Sequence, residues 1–225
     1  SFADFWKLAV ESKLLVPQQC QQLHQDFSQV KGAVESGSAK TLAEWLVSRN
    51  IISRYQATIL LAGRPGPFVY GDYRIYERIE TGRLSGSFRA VHGPTGHPVL
   101  LQFLTGDVTR DPQRWGAAAR EGIANCNVQS PHLQRWLDVV DLTTFKFLVG
   151  EDLRGESVDA RIKAGRIAPQ DACRWIIGAA QGLSHLHNEG RVHGEVRPGN
   201  LWLDTAPQHP GQLKLLRDPL FEPRP

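Results

Sequence analysis

Methionine is absent from all 225 residues, even at the first position, which leads us to expect a trimmed chain. Cysteine is scarce. Cys20, Cys126 and Cys173 are an odd number without metal-ligand spacing, each set among helix-forming residues. They argue against a zinc site and read as small buried hydrophobes in a reducing compartment. A dominant charge is lacking too: 26 Lys and Arg against 23 Asp and Glu leave +3. That is too weak to imply a nucleic-acid or membrane-surface partner. Long apolar runs are missing, since Val99-Leu100-Leu101 and the stretch 175–180 are far too short to cross a bilayer. No charged-then-apolar leader opens the chain, so a cytoplasmic location is expected. What is present is 41% hydrophobic and 22% charged residues, enough to fold around a core.

From residue 1 to 62 the apolar period is helical, with Phe5, Leu8 and Ala9, then Leu42, Trp45 and Leu46. Four short helices are expected, the second opening at Pro17, with a Gly-Ser-rich break at 32–38. Leu14, Leu15, Gln19 and Leu23 are echoed 37 residues later by Ile51, Ile52, Gln56 and Leu60, which suggests two related helical hairpins. Such a bundle serves either to dock a partner or simply to fill its own core. Gly63-Arg64-Pro65-Gly66-Pro67 then sustains neither helix nor central strand, and 63–70 reads as a linker.

Beyond the linker the period becomes alternating, at Tyr73 and Ile75, Phe88 and Ala90, 99–104 and 145–149. Asp111 followed by Pro112 announces a helix, and a second begins near Pro169 and stops at Asn188-Glu189-Gly190. Ala172, Ile176, Ala179, Leu183 and Leu186 form its expected apolar stripe. The fold class is α+β.

Several stretches then follow one another in a telling order. The hairpin 79–90 carries Gly82 and Gly86, and the strand Val99-Leu100-Leu101-Gln102 comes next. Arg120-Glu121 precedes Ser130-Pro131-His132, and Leu148-Val149-Gly150-Glu151-Asp152-Leu153 follows. Val192-His193-Gly194-Glu195-Val196-Arg197-Pro198-Gly199-Asn200 is the most specific stretch, and Leu213-Lys214-Leu215-Leu216 leads into Arg217-Asp218-Pro219. In this order, over about two thirds of the chain, they resemble the eukaryotic-like (Hanks-type) Ser/Thr protein kinases of bacteria.

The resemblance implies a small lobe at 71–152, with an antiparallel five-stranded sheet and one long helix. A partial helical large lobe follows at 153–225, the whole preceded by the small all-α domain 1–62. It also assigns roles and exposes departures. Of the phosphate-covering glycines only Gly82 is in place, with Glu80 and Ser85 at the other two positions. Gln102 stands where the family has its phosphate-binding lysine, leaving Glu121, that lysine's helical partner, without a cation. The alternative for Glu121 is a solvated surface carboxylate. Glu195 stands for the catalytic aspartate, one methylene longer, and only Asn200 remains of the metal ligands. His193 packs structurally. Arg217 takes the place of the magnesium-binding aspartate, and at 4 Å each like-charged pair costs roughly 4 kcal/mol at an effective dielectric near 20. Adjacent Asp218 would point the other way on an extended segment. A nucleotide pocket, if any, would be lined by Gly82, Ala90, Gly150, Glu151 and Leu153, the space beside Gly150 being open or filled by Phe147.

On this reading the expectation is a pseudokinase: not an enzyme, without cofactor or metal, acting as a binding or regulatory module for a protein partner. Glu121 and Arg217 should then meet in a salt bridge. The alternatives are an atypical Ser/Thr kinase that uses Arg83 or Arg89 as a relocated cation with Glu195 as base, or a metal-independent nucleotide binder in which Arg217 meets a phosphate.

Overall fold

The computed structural model describes residues 1–30, 38–206 and 210–217. The chain divides into two compact units, Ser1–Arg78 with Phe88–Pro98, and Ile79–Ser87 with Val99–Pro225.

Four helices open the first unit: α1 (Phe2–Glu11), α2 (Pro17–Ser28), α3 (Ala39–Ser48) and α4 (Arg54–Leu61). Side-chain oxygens of Ser1, Ser38 and Ser53 accept backbone N–H groups at the starts of α1, α3 and α4, and Pro17 sits in the first turn of α2. Most of the expected break at 32–38 lies outside the described residues. The 37-residue echo is structural: α3 begins and ends 37 residues after α1. Each hairpin also turns its corner through a non-glycine residue with positive φ, Lys13 at 58° and Asn50 at 56°. Phe5, Ala9, Leu42, Leu46 and Leu60 fill the core between the helices.

The segment expected as a linker is part of this core. Phe68 is 1% exposed and packs among the helical residues. Tyr55 of α4 meets both Phe68 and Phe88 edge-on, and the Gln56 side chain donates to the Ile75 carbonyl at 2.7 Å. The helices are thereby fastened to β1 (Val69–Tyr70), β2 (Tyr73–Arg78) and β3 (Phe88–His92), which pair antiparallel in that order. The compact division therefore does not fall at 63–70. Composition marked a break there, but burial of one aromatic ring outweighs it.

In the second unit β4 (Pro98–Leu104) is followed by the single turn α5 (Asp107–Arg110), α6 (Pro112–Cys126), β5 (Trp136–Asp141) and β6 (Lys146–Glu151). The antiparallel order is β4-β6-β5. Asp111 caps α6 by accepting from the N–H groups of Gln113 and Arg114. Before residue 152 the described strands number six rather than the expected five, the extra one being two-residue β1, too short to leave an alternation. Then come β7 (Gly155–Ser157), α7 (Val158–Ala164), α8 (Pro169–Asn188), a 3-10 turn at Pro198–Asn200, β8 (Leu201–Asp204) and β9 (Gln212–Leu215). The last three strands pair antiparallel as β7-β8-β9.

Of the stripe expected on α8, Ala179 and Leu186 are buried and Leu183 packs against the same cluster, but Ile176 is 63% exposed. Gly178 and Gly182 are buried beside them, and a Cβ at Gly182 would lie 2.8 Å from the His132 carbonyl oxygen. The bare face sits against the chain at His132, and the isoleucine turns outward. Cys173 of the same helix is exposed rather than buried, whereas Cys20 is buried as expected. Among the described residues no helix is long and apolar enough to cross a membrane.

Candidate functional site

All but one of the expected site residues lie in the second unit; Ala90, fully buried on β3, belongs to the first. The hairpin segment Ile79–Ser87 is closed by its own backbone bonds, Ile79 N–H to the Ser87 carbonyl at 2.9 Å and Gly86 N–H to the Ile79 carbonyl at 2.8 Å. Gly82 and Gly86 both adopt left-handed backbone, φ 78° and 87°, and this allows the two reversals. Between them the chain sends two side chains inward. Arg83 Nε donates to Asn200 Oδ1 at 2.6 Å, and Leu84 is buried against Leu100, Leu153, Trp202 and Leu216. Of the two relocated cations considered from the sequence, Arg83 reaches the catalytic loop. Arg89 is spent elsewhere, 3.3 Å from Glu77 in the first unit.

Glu121 is neither orphaned nor merely solvated. Its Oε1 accepts from Arg217 Nη1 at 3.0 Å and from Arg191 Nη2 at 2.7 Å. The expected Glu121–Arg217 pair is present, and a second guanidinium joins it. Arg191 also donates to Asn125 Oδ1 at 2.6 Å and to the Ala124 carbonyl at 3.2 Å. One carboxylate thus ties α6 both to the strand end at 217 and to the approach to the catalytic loop. Asp218 lies outside the described residues.

In the catalytic loop Asn200 is fully buried, held by the 3-10 turn. Its Nδ2 donates to the Glu195 carbonyl at 2.9 Å, with Glu195 Oε2 at 3.4 Å. The loop therefore places carboxylate, amide and the Arg83 guanidinium together. His193, 1% exposed, accepts the Glu195 N–H at Nδ1, so its proton sits on Nε2. That nitrogen is buried without a hydrogen-bond partner in the structure. His193 lines a cavity of about 20 Å³ with Asn125, Gln134 and Arg217, close to the room one water molecule needs. Burial pushes the imidazole below its usual range, and the Arg217 guanidinium adds to this. His193 is neutral.

Gln102, half-buried on β4, is paired in register with Leu148 of β6. At Gly150 the missing side chain is replaced by Gln134 and Trp136, each 3.4 Å from where a Cβ would stand. Phe147 does not fill that space, since on a strand it points to the face opposite Leu148 and Gly150 and packs on Phe103 instead, with ring centroids 5.0 Å apart. Glu151, expected at the nucleotide, holds Lys214 through both oxygens at 2.8 and 2.7 Å and also accepts the Arg135 N–H. Leu153 is fully buried in the Leu84 cluster. Sequence reasoning did not single out Leu84, Arg191 or Lys214 for a role. Leu84 and Lys214 stood inside quoted stretches, but only their contacts show what they do.

No family model matches the chain. It is similar to named serine/threonine-protein kinases of bacteria and to a putative plant protein kinase. It is 23% identical over 144 residues to the probable serine/threonine-protein kinase pknA2 of Bifidobacterium longum, covering 62% of this chain and 19% of that protein. It is 31% identical over 121 residues to the serine/threonine-protein kinase PkaB of Streptomyces coelicolor, covering 53% and 29%. To PknA of Mycobacterium tuberculosis it is 26% identical over 161 residues, 69% and 36%. The chain thus spans 19% to 36% of the length of these relatives. Among solved structures it matches the kinase domain of Mycobacterium tuberculosis PknI with a TM-score of 0.57 and 13% identity, covering 68% of this chain and 60% of that one. The fold is that of a protein kinase domain.

These relatives correct two expectations. The chain was expected not to be an enzyme, yet the proteins it resembles are named kinases. It was expected to need no cofactor, yet protein kinases take their phosphoryl group from ATP with magnesium. For nucleotide phosphates the residues fit at one point: Arg83 brings a guanidinium to Asn200 in the stretch 192–200. For magnesium they do not fit. Asn200 Oδ1, the oxygen a cation would take, accepts Arg83, and the neighbouring ligand position holds Arg217, turned to Glu121.

Proposed function

We propose that this chain is the nucleotide-binding and phosphoryl-transfer part of an atypical Ser/Thr protein kinase. In it Arg83 takes over the phosphate-binding charge, and Glu195 serves as the base for the substrate hydroxyl of a partner protein. The observation that carries this reading is the 2.6 Å contact between Arg83 Nε and Asn200 Oδ1, a cation from the glycine-containing hairpin standing at the catalytic loop. ATP supplies the phosphoryl group; the chain's own residues hold, orient and deprotonate. Glu195, anchored beside Asn200, is placed to orient a hydroxyl and to take its proton. Glu121 ties α6 through Arg191 to the approach to the loop that carries these groups. No step is assigned to magnesium.

The test is phosphoryl transfer from γ-labelled ATP to Ser- and Thr-containing proteins, with Glu195→Gln and Arg83→Ala as variants. Activity that Glu195→Gln abolishes, together with ATP affinity that Arg83→Ala lowers by roughly 10- to 100-fold, is the expected result for loss of a charge-assisted contact. Transfer unaffected by either variant would overturn the assignment. A second reading, nucleotide binding without transfer, is favoured by the same contact, because Asn200 Oδ1 is then engaged by Arg83 rather than by a metal. A thermal shift with ATP that persists without magnesium, and no labelled product, would select it.

A further inference from the structure

Leu84 and Arg83 together block the site just described. Leu84, 7% exposed, closes an apolar slot whose other walls are Leu100 of β4, Leu153 just after β6, Trp202 of β8 and Leu216. Every wall residue is itself buried, and Trp202 is fixed by donating its Nε1–H to the Arg154 carbonyl at 3.0 Å. Leu153 is the one wall that the resemblance assigned to a nucleotide, so the slot filled by Leu84 is the apolar end of that pocket. At the polar end Arg83 holds Asn200 at 2.6 Å. The segment between carries bonds that keep the tip folded inward, Ser85 N–H to the Gly82 carbonyl at 3.1 Å and Ser87 N–H to the Leu84 carbonyl at 3.0 Å. The positive-φ glycines at 82 and 86 flank the tip, and a Cβ at either would meet nothing within 4 Å. The tip is thus bounded by two unencumbered hinge points.

We propose that residues 82–87 are a built-in plug, with Leu84 occupying the base slot and Arg83 latched on Asn200, so that nucleotide enters only when the tip lifts about Gly82 and Gly86. This rests on the nucleotide-binding reading above and adds its regulation. Opening hands Arg83 from Asn200 to the incoming phosphates, and the cation that closes the site becomes the one that holds the ligand. An apolar plug lowers apparent affinity by the fraction of open molecules. Losing most of a buried leucine side chain raises that fraction by roughly 10-fold or more.

The experiment measures ATP binding by calorimetry and amide hydrogen exchange of the 79–90 peptide, in the wild-type chain and in Leu84→Ala and Leu84→Asn. The expected results are slow exchange at Ser85, Gly86 and Ser87 in the wild type, fast exchange in both variants, and ATP bound at least roughly 10-fold more tightly by the variants. Saturating ATP should also release those amides in the wild type. Fast exchange in the wild type overturns the plug, a readout that needs no variant to fold. So does a folded Leu84→Ala chain that binds ATP no better. If the amides are protected in the wild type and freed in the variants while no form binds ATP, the closed tip stands and the kinase reading fails.

Discussion

Burial and the nearby Arg217 guanidinium both penalise the imidazolium of His193, so the folded chain takes up that proton at lower pH than the unfolded chain, whose imidazole titrates near 6.5. A depressed imidazole contributes stability that is fully present above the unfolded value. As pH falls below 6.5 the unfolded state binds more protons and stability drops, until the folded imidazole is protonated as well. Arg217, Glu195 and Arg83 are the charged groups that act on this ring, and of these only the carboxylate opposes the shift. His193→Asn should therefore flatten the acid limb of a urea-denaturation series run from pH 7.5 to 5; an unchanged slope would show that another group titrates there. At this scale the resemblance foretold the Glu121–Arg217 pair, since it put each residue at a site that had lost its counter-charge. It did not foretell Arg191, immediately before the recognisable stretch 192–200, because a partner separated by 70 positions leaves no local pattern.

Helix α6 is held close to the sheet through a single missing side chain. A Cβ at Gly122 would stand 2.7 Å from Val139 Cγ2 and 3.0 Å from Leu148 Cδ2. Gly122→Ala gains about 1 kcal/mol of helix propensity, yet forcing volume into a packed contact costs about 1–3 kcal/mol. The net expectation is a loss of about 1 kcal/mol, read as a melting temperature lower by roughly 2–4 °C, whereas a rise in melting temperature would mean that β5 and β6 yield at no cost. The start of the helix was legible, from Asp111 and Pro112, because capping is a local code. The outward turn of Ile176 on α8 was not. Periodicity counts apolar residues, and on α8 the contact surface is made by Gly178 and Gly182, so Ile176 was placed inward on chemistry when close approach had already taken that side.

At the scale of the whole chain, the four helices and the first three strands belong to one compact unit. Phe68 stands between them, and Gln56 satisfies a strand carbonyl with its buried amide. Phe68→Ala should cost about 3–5 kcal/mol, and native-state hydrogen exchange should show α3 and α4 losing protection together with β2. Helices that keep their protection while β2 alone opens would mark two independent folding units instead. The kinase-domain fold was readable because its motifs are ordered and specific. The true division of the chain was not, because proline and glycine at 63–67 report only that no helix or strand runs through them, never what the next side chain buries.

The left-handed corners at Lys13 and Asn50 admit the second helix of each hairpin in the same way, and each of those helices begins with a glutamine that accepts a backbone N–H, Val16 for Gln19 and Ser53 for Gln56. Among the described residues, only the later copy spends an amide hydrogen on another element, the Ile75 carbonyl. Identical letters in twin settings thus carry unequal obligations: position 19 answers to its own helix, where drift is cheap, while position 56 answers to a strand as well and is not at liberty to change.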